Sequence, residues 1–352
     1  MKLKSILACA VMALAPTIAV AQQKPIKIQA VTQANNMMPQ VTEVEQPILR
    51  DGLNAKSDGK IELSLFSWVE KNINGSEVLR LVRSGQVEIG AAPTANFAGD
   101  VPILNLMDLS GLNPSVEMAA KVSEALVPVA NETLEKYGVR IVATFPIAAQ
   151  VFFCKGDIKT LADLKGKRVR TGGGSINDFL SYVEAQPVAI GFPEVYTALE
   201  HGVAECAVTG TSAGNSARWY EVTDSLFAVP LAWGTGIYIV NAAWWDGLDP
   251  ELRDMLTETF AEVQEAQWAL GLRTTEDGIA CNGGDAANCK LGTVVTKKPL
   301  IINRPSDADL QVLRDSLSKA VVPAFVNKCG AECGEIYNRL IAPISGVTYD
   351  KS

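Results

Sequence analysis

The stretch "GKRVRTGGGS" (166–175) concentrates chemistry: the cations Lys167, Arg168 and Arg170 run directly into three glycines. Three kinds of chemistry suit such a run. A glycine loop can cradle a phosphate, a basic patch can contact nucleic acid, and a guanidinium can hold a carboxylate through two parallel hydrogen bonds. A phosphate loop needs a lysine after its glycines, in the order G-x-x-x-x-G-K-[ST], and here the lysine comes before them. The dinucleotide pattern G-x-G-x-x-G is also missing, although the glycines do lie between a strand-like and a helix-like segment. The chain carries a formal charge of -8, so nucleic acid is a poor partner, because that affinity rests on neutralising phosphates with Lys and Arg. An anion held at the start of the following helix stays open.

Catalytic constellations are weak. The chain has one histidine, His201, at the end of a helical stretch just before Gly202, where it suits the negative helix terminus. A Ser-His-Asp or Cys-His pair would depend on that one residue, and no nucleophile elbow is present. Clustered histidine metal sites are excluded, and no metal or cofactor is expected. Thirty-nine acidic residues make chance carboxylate pairs inevitable, and none has a spacing that marks an acid–base couple. Polar and aromatic residues at strand ends are more telling. Asn35 and Asn36 follow the first strand-like run, Trp68 the second, and Thr94 and Asn96 the third, while Gln150 precedes a strand and Thr209 closes another. Open α/β sheets bind ligands at the carboxyl ends of their strands.

These residues need elements to hold them. Strands are expected at 25–32, 59–66, 87–93, 139–146, 148–156, 167–171, 204–209 and 230–241, from alternating apolar residues and flanking turn signals. Helices are expected at 39–56, 74–85, 115–137, 160–166, 175–185, 194–202 and 249–278. Thr160 and Ser175 are read as N-caps, and Pro250 sits in the first turn of the longest helix. The alternation gives an α/β fold with largely parallel sheets, in two domains joined by several crossings. No repeat, low-complexity tract or flexible linker divides them.

At 352 residues, 48% hydrophobic and 20% charged, the chain is globular. Its first residues read as a secretory signal peptide: the positive "MKLK", the apolar "SILACAVMALAPTIAV" and a small-x-small cleavage site at Ala19-Val20-Ala21. Cleavage after residue 21 would remove Lys2 and Lys4 and take the net charge from -8 to -10. Export to an oxidising compartment favours disulfides among the six later cysteines. "CNGGDAANC" and "CGAEC" suggest pairs 281–289 and 329–333, with a four-thiolate zinc site as the rival, and Cys154 and Cys206 either pair or stay buried and reduced.

"IKTLADLKGKRVRTGGG" followed by "QPVAIGFPEVYTALEHGVAECAVTG" resembles the hallmark region of the substrate-binding proteins of TRAP transporters, the DctP-like family. The carrying residues are Leu161 to Gly166, Arg170, Pro187, Phe192, Glu194, Val195, Tyr196, Ala198, Leu199, Gly202 and Val203. The resemblance implies a two-lobed periplasmic binding protein fold with a long helix crossing both lobes. Lobe I would hold 22–146 and about 230–250, lobe II 147–229 and about 279–352, and the crossing helix 250–278. It implies Arg170 as the arginine that clamps a ligand carboxylate, Phe192 as an aromatic wall, and Thr209 where the family often has a contacting asparagine. A second, less uniform arginine of the family falls on Ala149 or Gln150, so this chain lacks it. A dicarboxylate wants a second cation, since an unpaired buried charge is costly. The expected ligand therefore has one acidic group, carboxylate or sulfonate, and a neutral remainder packed among Trp68, Phe192 and Trp233, with Gln150, Asn36 and Thr94 as further contacts. The expected partner is a TRAP membrane permease. An exported sensor for a receptor kinase and an exported hydrolase are the alternatives.

Overall fold

The computed structural model describes residues 24–350; the expected signal peptide lies outside them. Among the described residues eleven strands form two sheets. They are β1 (Ile26–Val31), β2 (Ile61–Phe66), β3 (Ile89–Pro93), β4 (Val139–Ile147), β5 (Gln150–Cys154), β6 (Arg168–Thr171), β7 (Gln186–Ala189), β8 (Cys206–Gly210), β9 (Ser225–Phe227), β10 (Gly234–Asn241) and β11 (Ile301–Asn303). One sheet has the order β2-β1-β3-β10-β4, the other β11-β9-β5-β8-β6-β7.

Each sheet is parallel apart from one strand. β10 runs against both β3 and β4, and β5 runs against both β8 and β9. These are the strands by which the chain enters a sheet after crossing from the other. Leaving β4, it reaches β5 through Ala148 and Ala149; leaving β9, it reaches β10 through residues 228–233. The two crossings bind each other, as the Gln150 amide donates to the Ala232 carbonyl and the Leu231 amide to the Gln150 carbonyl, both at 3.0 Å.

A third crossing is the helix Pro250–Asn282, started by Pro250 and capped by the Asp249 carboxylate, which accepts the Glu251 amide at 3.0 Å. Two of its glycines permit close approach. A Cβ on Gly271 would lie 2.3 Å from Pro146 of β4, and one on Gly278 would lie 2.5 Å from Thr211 beside β8. About two turns of one helix thus rest on elements of both sheets. The C-terminal helices, from Asp307 onward, also touch both sides, packing on Ile176–Tyr182 and on the stretch Pro102–Asp108.

Several local expectations change. Residues 186–189 form a strand and Thr211–Ser216 a helix, neither apparent from periodicity because both runs are short. Ser175 is not a side-chain cap: its hydroxyl instead reaches across to Ser110 and Asp108. Asn74 precedes the turn leading into Val78–Arg83, with its backbone amide donating to the Glu77 carboxylate at 2.9 Å.

All six described cysteines are paired, as 154–206, 281–289 and 329–333, which leaves no thiolate for zinc. Cys154 and Cys206 are cross-strand partners of β5 and β8, both fully buried. Replacing this pair by alanines is expected to cost about 4 kcal/mol, from loop-closure entropy over a separation of 52 residues. Urea denaturation of the double variant measures it, and an unchanged midpoint would contradict it.

Candidate functional site

β6 carries "RVRT", in which Arg168 faces solvent and Arg170 is buried. Arg168 binds the Gly202 and Val203 carbonyls and lies 3.4 Å from Glu205, so it ties down the lobe surface. Arg170 is 5% exposed and is the one buried Lys or Arg among the described residues. Its Nε donates to the Ile190 carbonyl (2.8 Å) and its Nη1 to the Val208 carbonyl (3.0 Å). Nη2 meets no protein acceptor, and no carboxylate pairs with the group. The guanidinium carbon lies 5.6 Å from the Trp219 ring centroid and 5.9 Å from that of Phe192, favourable for a cation. Loss of hydration on burial lowers its pKa from the usual guanidinium range to about 9, which still leaves it charged at neutral pH.

After β6 the backbone turns sharply. Gly173 and Gly174 adopt φ of +105° and +70°, a region that L side chains rarely enter. The turn brings Ser175 against the other half of the molecule, where its hydroxyl accepts the Ser110 amide (2.8 Å) and donates to the Asp108 carbonyl (3.0 Å). Asn35, after β1, reaches Ser216 beside the second sheet at 3.0 Å. These contacts draw the two halves together over a cavity of about 280 Å³. That volume suits a small metabolite, at the low end of the usual range for ligand pockets.

The cavity is lined from one side by Gln33, Trp68, Asn96 and Phe145, and from the other by Gln150, Arg170, Phe192 and Thr209. Six of the sequence-selected residues, Arg170, Phe192, Gln150, Thr209, Trp68 and Asn96, therefore meet here. Three lie elsewhere. Asn36 is exposed and donates to Glu70 at 3.2 Å. Thr94 is fully buried behind the wall, with no partner for its hydroxyl. Trp233 packs in the apolar cluster of the second sheet, its backbone held to Asn113 at the crossing. A strand end locates a residue near the cleft but does not decide which way its side chain turns.

One ionisable lining residue was not apparent from motif or strand-end position. Asp108 is 6% exposed, and its carboxylate has no hydrogen-bonding or ionic partner. Burial alone raises its pKa from 3.8 to about 7. Asp108 and Arg170 are the two ionisable residues of the lining, one from each side, and no salt bridge joins them. The available signal was faint: Asp108 is the one charged residue between Asp100 and Glu117. Beneath the cavity, Glu45 accepts hydrogen bonds from Thr32 (2.6 Å), Gln33 (2.8 Å) and Tyr238 (2.6 Å), which fixes the Gln33 side chain in the wall. Desolvation raises Glu45 to about 6 in spite of these bonds.

A family model for bacterial extracellular solute-binding proteins, family 7 (DctP), matches residues 31–279. The 2,3-diketo-L-gulonate-binding periplasmic protein YiaO of Escherichia coli K12 is 29% identical over 223 residues, covering 62% of this chain and 68% of that protein. Among solved structures, DctP7, a Bordetella pertussis extracytoplasmic solute receptor binding pyroglutamic acid, superposes with a TM-score of 0.76 at 20% identity, covering 88% of this chain and 98% of that one. A TRAP periplasmic solute-binding protein from Desulfovibrio salexigens with bound orotic acid gives a TM-score of 0.79 at 19% identity, covering 90% and 99%. These likenesses place the chain in the two-lobed periplasmic binding protein fold with a long helix across both lobes. No helix among the described residues is long and apolar enough to cross a membrane.

Asp108 gives a pH dependence of stability in the ligand-free protein. Between pH 3.8 and about 7 the folded state holds a proton that the unfolded chain has released. Stability from this group is therefore present at low pH and lost as pH rises through that window, by up to about 4 kcal/mol. Asp108→Asn should remove that slope and melt higher than the wild type at pH 8, as thermal denaturation across pH would measure.

Proposed function

This chain belongs to the bacterial extracellular solute-binding proteins of family 7, and from that premise we propose that it captures a small organic anion with a single acidic group, carboxylate or sulfonate, and hands it to a TRAP membrane permease from the periplasm. Arg170 carries the reading. A buried guanidinium with two donors spent on carbonyls and Nη2 free of protein acceptors is a preorganised anion site. Lysine would supply charge without the planar fork. Because Arg170 is the cavity's one cation, a second carboxylate would be buried without a partner. The Escherichia coli relative is named for a sugar acid with one carboxylate, which agrees with that class.

The same proposal assigns lobe I to 22–146 with about 230–250, lobe II to 147–229 with about 279–352, and 250–278 to the crossing helix. The division of strands between two sheets supports it, while the C-terminal helices lie against both sides. Function then needs no bond chemistry. Ligand bridging the lobes favours the closed arrangement, because only that arrangement offers contacts from both sides at once. Trp68, Phe192, Gln150 and Thr209 line the cavity and shape the fit around the acid.

Arg170→Ala should weaken binding of any acid ligand by about 100-fold or more, the cost of an unmade charge-assisted pair. Arg170→Lys should fall between that variant and the wild type. Calorimetry on acids selected by a thermal-shift screen tests both. Retained affinity in Arg170→Ala would remove the assignment, and a screen in which only dicarboxylates stabilise the protein would remove the single-acid class.

A further inference from the structure

The cavity's second ionisable group has no task in anion capture alone. Asp108 comes from the Pro102–Asp108 stretch, on the wall opposite Arg170, and both of its carboxylate oxygens are without partners. The fold makes room for it. A Cβ on Gly234 would lie 3.1 and 3.2 Å from those two oxygens, so glycine there lets the carboxylate sit against β10. Gly236, two residues on and therefore on the same face of the strand, does the same for Phe145, whose ring would lie 2.1 Å from a Cβ. Neighbouring glycines thus seat an acid and an aromatic ring side by side, and both line the cavity. Trp68 adds a second aromatic to the same wall.

An unpaired carboxylate beside aromatic rings is a recognition set for a positively charged nitrogen. It is a poor neighbour for a second acid, because like charges in a buried space repel. Charge counting gives the same answer. With Arg170 paired to the ligand's acid, a nitrogen-free anion leaves Asp108 uncompensated whenever it is ionised, whereas a zwitterion neutralises both walls.

We infer that the ligand is zwitterionic, its carboxylate or sulfonate held by Arg170 of one lobe and a protonated nitrogen held by Asp108 of the other. This rests on the single-acid reading above and replaces the neutral remainder expected from the sequence with a cationic one. It also makes Asp108 the residue that selects among acids. Arg170 accepts any small anion that fits; Asp108 rejects those lacking a nitrogen to meet it.

The test uses matched acids that differ only in the nitrogen: proline against cyclopentanecarboxylate, 4-aminobutanoate against butanoate, and 2-aminoethanesulfonate against ethanesulfonate, with succinate and gluconate as further acids. In the wild type, the nitrogen-bearing member of a pair should bind about 10- to 100-fold tighter by calorimetry, the usual worth of a hydrogen bond to a charged group. Asp108→Asn should erase that preference while leaving the nitrogen-free acids bound as well or better, and a melting temperature at pH 8 at or above the wild type's would show that it folds. Nitrogen-free acids or succinate binding the wild type as tightly as the amino acids would overturn the inference, as would a preference that survives Asp108→Asn. In either case acids still bind and the solute-binding reading stands. If none of these acids stabilises the wild type, the organic-acid reading itself fails and this inference falls with it.

Discussion

A guanidinium stripped of water and given no carboxylate is the constraint around which this molecule is arranged. Removing such a charge from water costs several kcal/mol even after relaxation, and a folded chain carries that cost only where something offsets it. Here the offset is partial. The Val208 carbonyl in the middle of β8, the Ile190 carbonyl just after β7 and two aromatic faces hold Arg170 in place. They fix where the positive charge sits without neutralising it. On the proposed function, the remaining deficit is what an anion would supply on binding, so the energetic debt of the ligand-free protein and its affinity would have one origin.

On the proposed function, closure would follow from how the chain crosses between its sheets. The two extended crossings hydrogen-bond to each other at Gln150 and so form one ribbon, and the long helix rests on both sheets through Gly271 and Gly278. Around this shared edge, the rim is joined by a few polar contacts: Ser175 to Ser110 and Asp108, and Asn35 to Ser216. Few and small, these bonds suit a closed state that ligand must help to hold.

Much of this was legible in the residues. The strand–glycine–helix order of 166–185 pointed to the stretch, but alternation puts Arg168 and Arg170 on one face of the strand, so the family resemblance, not periodicity, singled out position 170. The two local disulfides followed from spacing. The antiparallel strands β5 and β10 left no mark in the alternation pattern, because a buried strand reads the same in either direction. Asn36, Thr94 and Trp233 were chosen by position at strand ends or by side-chain type, and position cannot give side-chain direction. Asp108 was hidden for a different reason. A single acid in a run of apolar residues resembles a solvated turn until the fold shows that nothing solvates it.

The three disulfides bear on mechanics as well as stability. One staples two neighbouring strands of a single sheet, one closes eight residues at the end of the long helix, and one closes four residues near the C-terminus. Not one of them joins the strands of one sheet to those of the other. All three fall in the proposed lobe II and none in the proposed lobe I, so oxidation stiffens one body locally and takes no rotational freedom from the pair.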